Sequence, residues 1–255
     1  MTQPPLDAYV ICTAPRSGST LLCRMLAATG VAGDPQSYFH GPSIGDWLAY
    51  FAIEPSDGAS PREVMSDVIR AAIARGRGAS ALFGLRLQRH SAPHFLAQLS
   101  TLHPELSSDR ARLEASFGRI AFLHLHRPDK LAQAISYLKA QQTGLWHRAP
   151  DGTELERLAA PAEPRYDSAA IQSRIDEFTA FDRAWGSWFA SENIEPFRID
   201  YDELAAAPRA TLTRTLAFLG LDPAAASGVD PGVAKLADAT SEEWAARFRS
   251  ERRRP

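Results

Sequence analysis

Apolar positions along the chain alternate between two periods. Tyr9-Val-Ile-Cys-Thr13 is a short, β-branched run that stops at Ala14-Pro-Arg-Ser-Gly-Ser-Thr20. Beyond the stop, Leu21, Leu22, Met25 and Leu26 recur on one helical face, which predicts a strand, a tight loop and a helix. Ser60-Pro-Arg-Glu63 has the form of a capping box with proline at the first helical position, and Val64, Val68, Ile69 and Ile73 carry that helix up to Gly76. Ala81–Leu87 reads as a strand and Pro93–Leu102 as a helix. Ile120–His126 reads as a buried strand halted at Arg127-Pro128, with a helix from Asp129 to Gln142. Ile171, Ile175, Phe178, Trp185, Trp188 and Phe189 mark a long amphipathic helix. A strand over Pro196–Tyr201 follows, then a helix marked by Leu212, Leu216 and Leu219 and closed by Gly220. Thr143–Asp167 holds prolines at 150, 161 and 164 with little apolar periodicity, so it is expected to be a long surface excursion. Strands alternating with helices predict an α/β fold, a mainly parallel sheet covered by helices on both faces.

Composition narrows the choices. At 255 residues and 45% hydrophobic, the chain can bury one substantial core, and a single domain over residues 1–255 is expected. Lys+Arg 28 against Asp+Glu 30 gives a formal charge of -2, so no global basic field gathers nucleic acid or anionic membrane. A small anion must then be held by a local site. Lysine occurs only at 130, 139 and 235, the other basic residues being arginine. Met1–Asp7 carries no basic residue and the apolar run after it is too short for a leader or a membrane span, so a cytoplasmic location without a transmembrane segment is expected. Cys12 and Cys23 have no CxxC or Cys/His partner at metal spacing and read as buried reduced thiols.

Candidate chemistry concentrates at Pro15-Arg-Ser-Gly-Ser-Thr-Leu-Leu22. A glycine, three hydroxyls and an arginine at a strand-to-helix turn form an oxyanion site: Gly18 permits close backbone approach and the first-turn N–H groups lack intrahelical partners. The helix dipole favours negative charge, and Arg16 adds a forked, charged donor. Taken alone, the same residues also suit an ordinary turn and helix cap. Known phosphate motifs do not fit. Aligned as a Walker A loop, Gly18 leaves Ser19 in place of the lysine and Thr13 in place of the first glycine. A tyrosine-phosphatase cradle needs five residues between cysteine and arginine, whereas three separate Cys12 from Arg16, and GxGxxG is absent. The pairs His90/His94, on a helix face, and His124/His126, on a strand face, lack a third ligand at recognised spacing, so no metal is expected. Arg247, Arg249 and Arg252-Arg-Arg254 read as a solvated tail, with closure over a ligand as the alternative.

Several further stretches stand in a telling order: Ala28–Phe39, Phe83-Gly-Leu-Arg-Leu87, His126-Arg-Pro-Asp129 with Gln133-Ala-Ile-Ser136, Trp185–Phe189, Asp200-Tyr201 and Ser241-Glu-Glu-Trp244. Together with Arg16–Leu22 they resemble the Stf0 family of bacterial sulfotransferases over nearly the whole chain. The resemblance implies a P-loop-like sulfotransferase fold and sulfuryl transfer from 3'-phosphoadenosine-5'-phosphosulfate (PAPS) to a carbohydrate or glycolipid hydroxyl. It also implies a homodimer. Arg16, Ser17, Gly18, Ser19 and Thr20 match the family's 5'-phosphosulfate loop, and Arg127 and Ser136 match its 3'-phosphate site. Ser37 and Arg86 fall at the acceptor side, Arg86 standing where relatives often have lysine and Gln88 where they often have tryptophan.

One position departs from the family. A glutamate two residues after the proline of Gly-x-Pro is proposed there to take the acceptor's proton; in this chain it is Ser37, and a second pattern places glutamate at what is here Gln36. Within Gly33–His40 the remaining bases are Asp34, taken first, and His40; a base from elsewhere, or none, stays open. Two competing functions also stay open, a P-loop-type small-molecule kinase that would need Mg²⁺ and a PAPS-binding protein with lost catalysis.

Overall fold

A computed structural model describes residues 5–234 and 236–252; Met1–Pro4, Lys235 and Arg253–Pro255 lie outside the described residues. In chain order the elements are β1 (Ala8–Thr13), α1 (Ser19–Ala28), α2 (Ile44–Phe51), α3 (Pro61–Arg77), β2 (Phe83–Gln88), α4 (Ala92–Leu102), α5 (Asp109–Phe117), β3 (Ile120–His126), α6 (Lys130–Thr143), β4 (Leu145–Arg148), β5 (Glu154–Arg157), α7 (Ser168–Ser191), β6 (Phe197–Asp200), α8 (Tyr201–Ala206), α9 (Pro208–Phe218) and α10 (Ala239–Glu251). Four strands form one parallel sheet in the order β2-β1-β3-β6.

All six residues of β1 are buried, because the central strand is covered on both faces. Its alternate side chains enter different cores. Ala8, Val10 and Cys12 pack with α3, α4, α5 and the end of α7, while Tyr9 and Ile11 pack with α1 and α9. A third cluster joins Ala134, Ile135 and Leu138 of α6 to Ile171 of α7 and to Trp244 and Phe248 of α10. Both cysteines are free and buried. The expected box at α3 forms in full: Ser60 accepts from the Glu63 N–H while the Glu63 carboxylate accepts from the Ser60 N–H.

The segment expected to be an irregular excursion instead contains an antiparallel hairpin, β4–β5. Its turn is Pro150-Asp-Gly-Thr153, closed by Ala149 N–H to Thr153 O at 2.8 Å and by Thr153 N–H to Asp151 Oδ1 at 2.9 Å. The C-terminal arginines also differ from expectation. α10 carries Arg247 over the Tyr166 ring at 4.0 Å, and Arg249 faces the cleft described next. Among the described residues no helix is long and apolar enough to cross a membrane.

Candidate functional site

The loop between β1 and α1 leaves the carboxyl end of the central strand, the edge at which open parallel sheets bind ligands. It is fixed from below. Thr13 Oγ1 and Ser17 Oγ lie 2.5 Å apart, with the carbonyls of Leu125 and Ala14 accepting from the pair. Trp185 Nε1 donates to Thr13 O at 3.0 Å and Gln133 Nε2 to Pro15 O at 2.7 Å. The Ser17 hydroxyl is therefore spent on the loop's own shape, fully buried, and does not line the cleft. Arg16 has φ 62° and Gly18 φ 86°. A Cβ at Gly18 would stand 2.7 Å from Tyr201 Cδ2, so conformation and space both demand glycine. Gly18 is also the N-cap of α1 and has no side chain to offer, so the first-turn N–H groups stay uncapped beside Ser19 and Thr20.

Three guanidiniums converge on this loop. Arg16 Nε donates to Ser136 Oγ at 3.0 Å and its Nη1 to Trp146 O at 2.6 Å. Arg127, at the end of β3, is 7% exposed, lies 4.2 Å from the Tyr201 ring centre, and donates through Nη1 to Arg16 O at 3.1 Å. Its Nε is buried without a partner. Arg86 on β2 donates through Nε to Ser37 Oγ at 2.8 Å and through Nη1 to Thr20 Oγ1 at 3.0 Å. Among the described residues none of the three pairs with a carboxylate. Burial and the charge of Arg127 push the Arg16 pKa down to about 10, which still leaves it protonated at neutral pH. Burial likewise lowers that of Arg127. Clustered, buried and unneutralised cations are costly unless an anion joins them. Arg16 and Ser136, matched in two separate motifs, join in one continuous surface through their hydrogen bond.

The cleft over this surface encloses about 2170 Å³, more than the range usual for one small ligand, and leaves space for a nucleotide and a second substrate. Ser37, His40, Arg86, Arg127 and Ser136 line it as the sequence expects. Asp34 does not. Its carboxylate accepts from Gln36 Nε2 at 2.9 Å, its N–H donates to Gly76 O at 2.8 Å, and its carbonyl accepts from the Tyr38 hydroxyl at 2.5 Å. His40 lies 3.3 Å from His90, and burial with the Arg86 charge lowers its pKa. His90 thus pairs with His40, whereas His94 packs against Trp47, so the helix-face pair does not form. His124 and His126 do stack on one face of β3, 5.5 Å between centroids. Among the described residues no three His, Cys, Asp or Glu side chains gather as a metal site.

Sequence reasoning missed the wall opposite the loop, which the hairpin supplies through Trp146, His147 and Glu156. His147 Nε2 lies 3.1 Å from Thr20 Oγ1 and 3.4 Å from Glu156 Oε2. Burial and the charges of Arg16, Arg86 and Arg24 press its pKa down to about 4. A signal was present: Pro-Asp-Gly-Thr between two short apolar–polar alternations is a hairpin pattern.

Comparison with known proteins places these features in one family. Residues 8–251 match the family described as Stf0 sulphotransferase. The trehalose 2-sulfotransferase of Mycolicibacterium smegmatis is 30% identical over 267 residues, covering 97% of this chain and 96% of that one. That of Mycobacterium tuberculosis is 31% identical over 261 residues, covering 95% and 94%. Among solved structures, the sulfotransferase domain of the Synechococcus PCC 7002 olefin synthase aligns with a TM-score of 0.48 at 16% identity, over 98% of this chain and 89% of that one. With its anion cleft at the carboxyl edge of a parallel sheet and a match that spans nearly all of its length, the chain belongs to the Stf0 sulphotransferase family and is a sulfotransferase.

Proposed function

We propose that the cleft binds PAPS and a carbohydrate or glycolipid acceptor, and that the protein transfers the sulfuryl group to an acceptor hydroxyl. The observation that carries the donor assignment is the set of three guanidiniums without a carboxylate, one of them with an orphaned buried Nε, around an uncapped helix N-terminus. Such a surface suits a ligand with anionic groups at two positions. The acceptor class rests on the two relatives named trehalose 2-sulfotransferase. PAPS supplies the sulfuryl group, which passes to the acceptor oxygen as the bond to the bridging oxygen breaks and its electrons stay with adenosine 3',5'-bisphosphate. Arg16 and the first-turn N–H groups of α1 hold the 5' end and stabilise the charge that grows on that bridging oxygen. Arg127 and Ser136 hold the 3'-phosphate, and Arg86, anchored by Ser37 and Thr20, faces the acceptor end. The same reading makes the protein a homodimer in the cytoplasm.

Incubation with radiolabelled PAPS and a panel of sugars and glycolipids that includes trehalose tests the function. Label should reach at least one sugar, and EDTA should leave the rate unchanged. No transfer to any acceptor, or transfer of phosphate from ATP with Mg²⁺ instead, would overturn the reading.

A further inference from the structure

The family's two glutamate positions are Gln36 and Ser37 in this chain, and Asp34, the one carboxylate within Gly33–His40, is turned onto Gln36 and away from the cleft. A sulfotransferase still has to dispose of the acceptor's proton. We propose that His147 is the general base of the transfer, with Glu156 Oε2 3.4 Å from its Nε2 to receive the imidazolium; the proposal rests on the sulfotransferase reading above.

Position is the first argument. The hairpin is pinned at three consecutive residues, two of them to the anion loop and the start of α1: Trp146 O accepts from Arg16 and His147 meets Thr20, while Arg148 O accepts from Ala234 N–H, in the segment before α10, at 2.8 Å. His147 is thereby fixed above the start of α1, between the guanidiniums of the donor end and the acceptor end, with 20% of its side chain exposed to the cleft. A base must stand within hydrogen-bond reach of the proton it takes, and among the described residues His147 is the one imidazole with a hydrogen bond to Thr20.

Proton accounting is the second. Arg86 Nη1 donates to Thr20 Oγ1, which leaves the Thr20 hydroxyl its own proton to give to His147. The step uses the tautomer in which Nε2 is the unprotonated nitrogen, so that Thr20 donates to it. An acceptor hydroxyl that meets Nε2 donates the same bond. As its oxygen bonds to sulfur, its proton passes to Nε2, the bridging S–O bond breaks, and the electron pair leaves with the bisphosphate. The imidazolium so formed lies against Glu156 and returns its proton to water after the product departs.

Electrostatics supply the third. The groups that face His147 are Arg16 of the loop, Thr20 and Arg24 of α1, Arg86 of β2 and Glu156 of β5. Without an anion, burial and then the arginines' charges keep the ring neutral, the form a base needs. Donor binding sets several negative charges among the same arginines and offsets their push, so the ring gains basicity when the substrate is in place.

The test uses His147→Gln, His147→Ala, Glu156→Gln and Asp34→Asn in the full-length enzyme. His147→Gln should lower kcat by about 10²–10⁴ while bisphosphate binding stays near its wild-type value, and added imidazole should restore part of the rate to His147→Ala alone. Glu156→Gln, which removes the charge that favours imidazolium, should move the acid limb of the kcat profile to lower pH. Asp34→Asn should be nearly silent. Near-normal kcat in His147→Gln, with the wild type transferring sulfuryl, would overturn the proposal and leave the function standing. A wild type that transfers none from PAPS would overturn the function, and the base assignment with it.

Discussion

Arg127 is almost fully enclosed, rests on Tyr201, and still has a guanidinium nitrogen with no acceptor. A phosphate at the 3' position would complete it. Arg127→Ala should therefore weaken binding of adenosine 3',5'-bisphosphate by about 1.5–3 kcal/mol, the scale of a charge-assisted hydrogen bond, and leave AMP affinity almost unchanged. Calorimetric titration of both nucleotides checks this; equal losses for the two would remove Arg127 from the 3' site. Arg16→Ala should act differently, lowering turnover at saturation more than affinity, because the charge that Arg16 opposes grows as the S–O bond breaks. Loss of its bond to Trp146 O would loosen the hairpin and add to the same effect. A turnover equal to wild type would make Arg16 a ground-state anchor. At this scale the sequence placed Arg16, Gly18, Arg86, Arg127 and Ser136 where the structure brings them, around one cleft. It did not reveal side-chain direction for Ser17 or Asp34. The Ser17 hydroxyl is held by Thr13 and Ala14 and the Asp34 carboxylate by Gln36, but Thr13 and the Asp34 backbone are themselves anchored through Leu125 and Gly76, far along the chain, which no local motif encodes.

Elements with an uninterrupted period were legible. β1 and β3 are buried apolar runs ended by Ala14-Pro15 and Arg127-Pro128, and α3 announces itself by its box and proline. Shorter or polar elements were not. α2 spans eight residues and fully buries only Trp47, α5 buries Leu113 and Phe117, and α10 shows its apolar face only where Trp244 and Phe248 meet α6. The hairpin escaped notice because it forms no part of a core and its two strands are only four residues long. Gly144 closes α6 at φ 73°, and a Cβ there would stand 2.4 Å from Ala159 O, at the base of the hairpin. Leu158 N–H also donates to Gly144 O at 2.8 Å. Gly144→Ala should pry this base apart and displace Trp146, His147 and Glu156 together. Turnover should then fall by roughly 10–10²-fold, the cost of small misplacements at a reacting centre, with a much smaller loss of Tm. Steady-state kinetics beside thermal unfolding would decide; unchanged turnover would remove the hairpin from the site.

The whole molecule carries its own pH signature, because the sheet encloses imidazole in a neutral state. His124 on β3 is buried between His126, Arg198 of β6, Lys130 of α6 and Phe189 of α7, and its Nε2 has no partner. Burial, then the charges of His126, Arg198 and Lys130, lower its pKa from 6.5 to about 4. In the unfolded chain the same ring takes a proton near pH 6.5. Between that value and the folded pKa the unfolded state holds the extra proton, so stability falls as pH drops through this window and levels off below it. For His124 alone the loss is of the order of ~3 kcal/mol. His90 and His147, both pushed to about 4, steepen the slope in the same window. Bound bisphosphate should flatten it in part, since anions among Arg16 and Arg86 relieve His147 while leaving His124 untouched. Chemical denaturation at a series of pH values, with and without ligand, separates the two contributions. His124→Phe should keep wild-type stability above the window and lose about one proton's worth of slope within it, with the ligand effect intact. Identical slopes in the variant and the wild type would mean that His124 is charged in the folded protein.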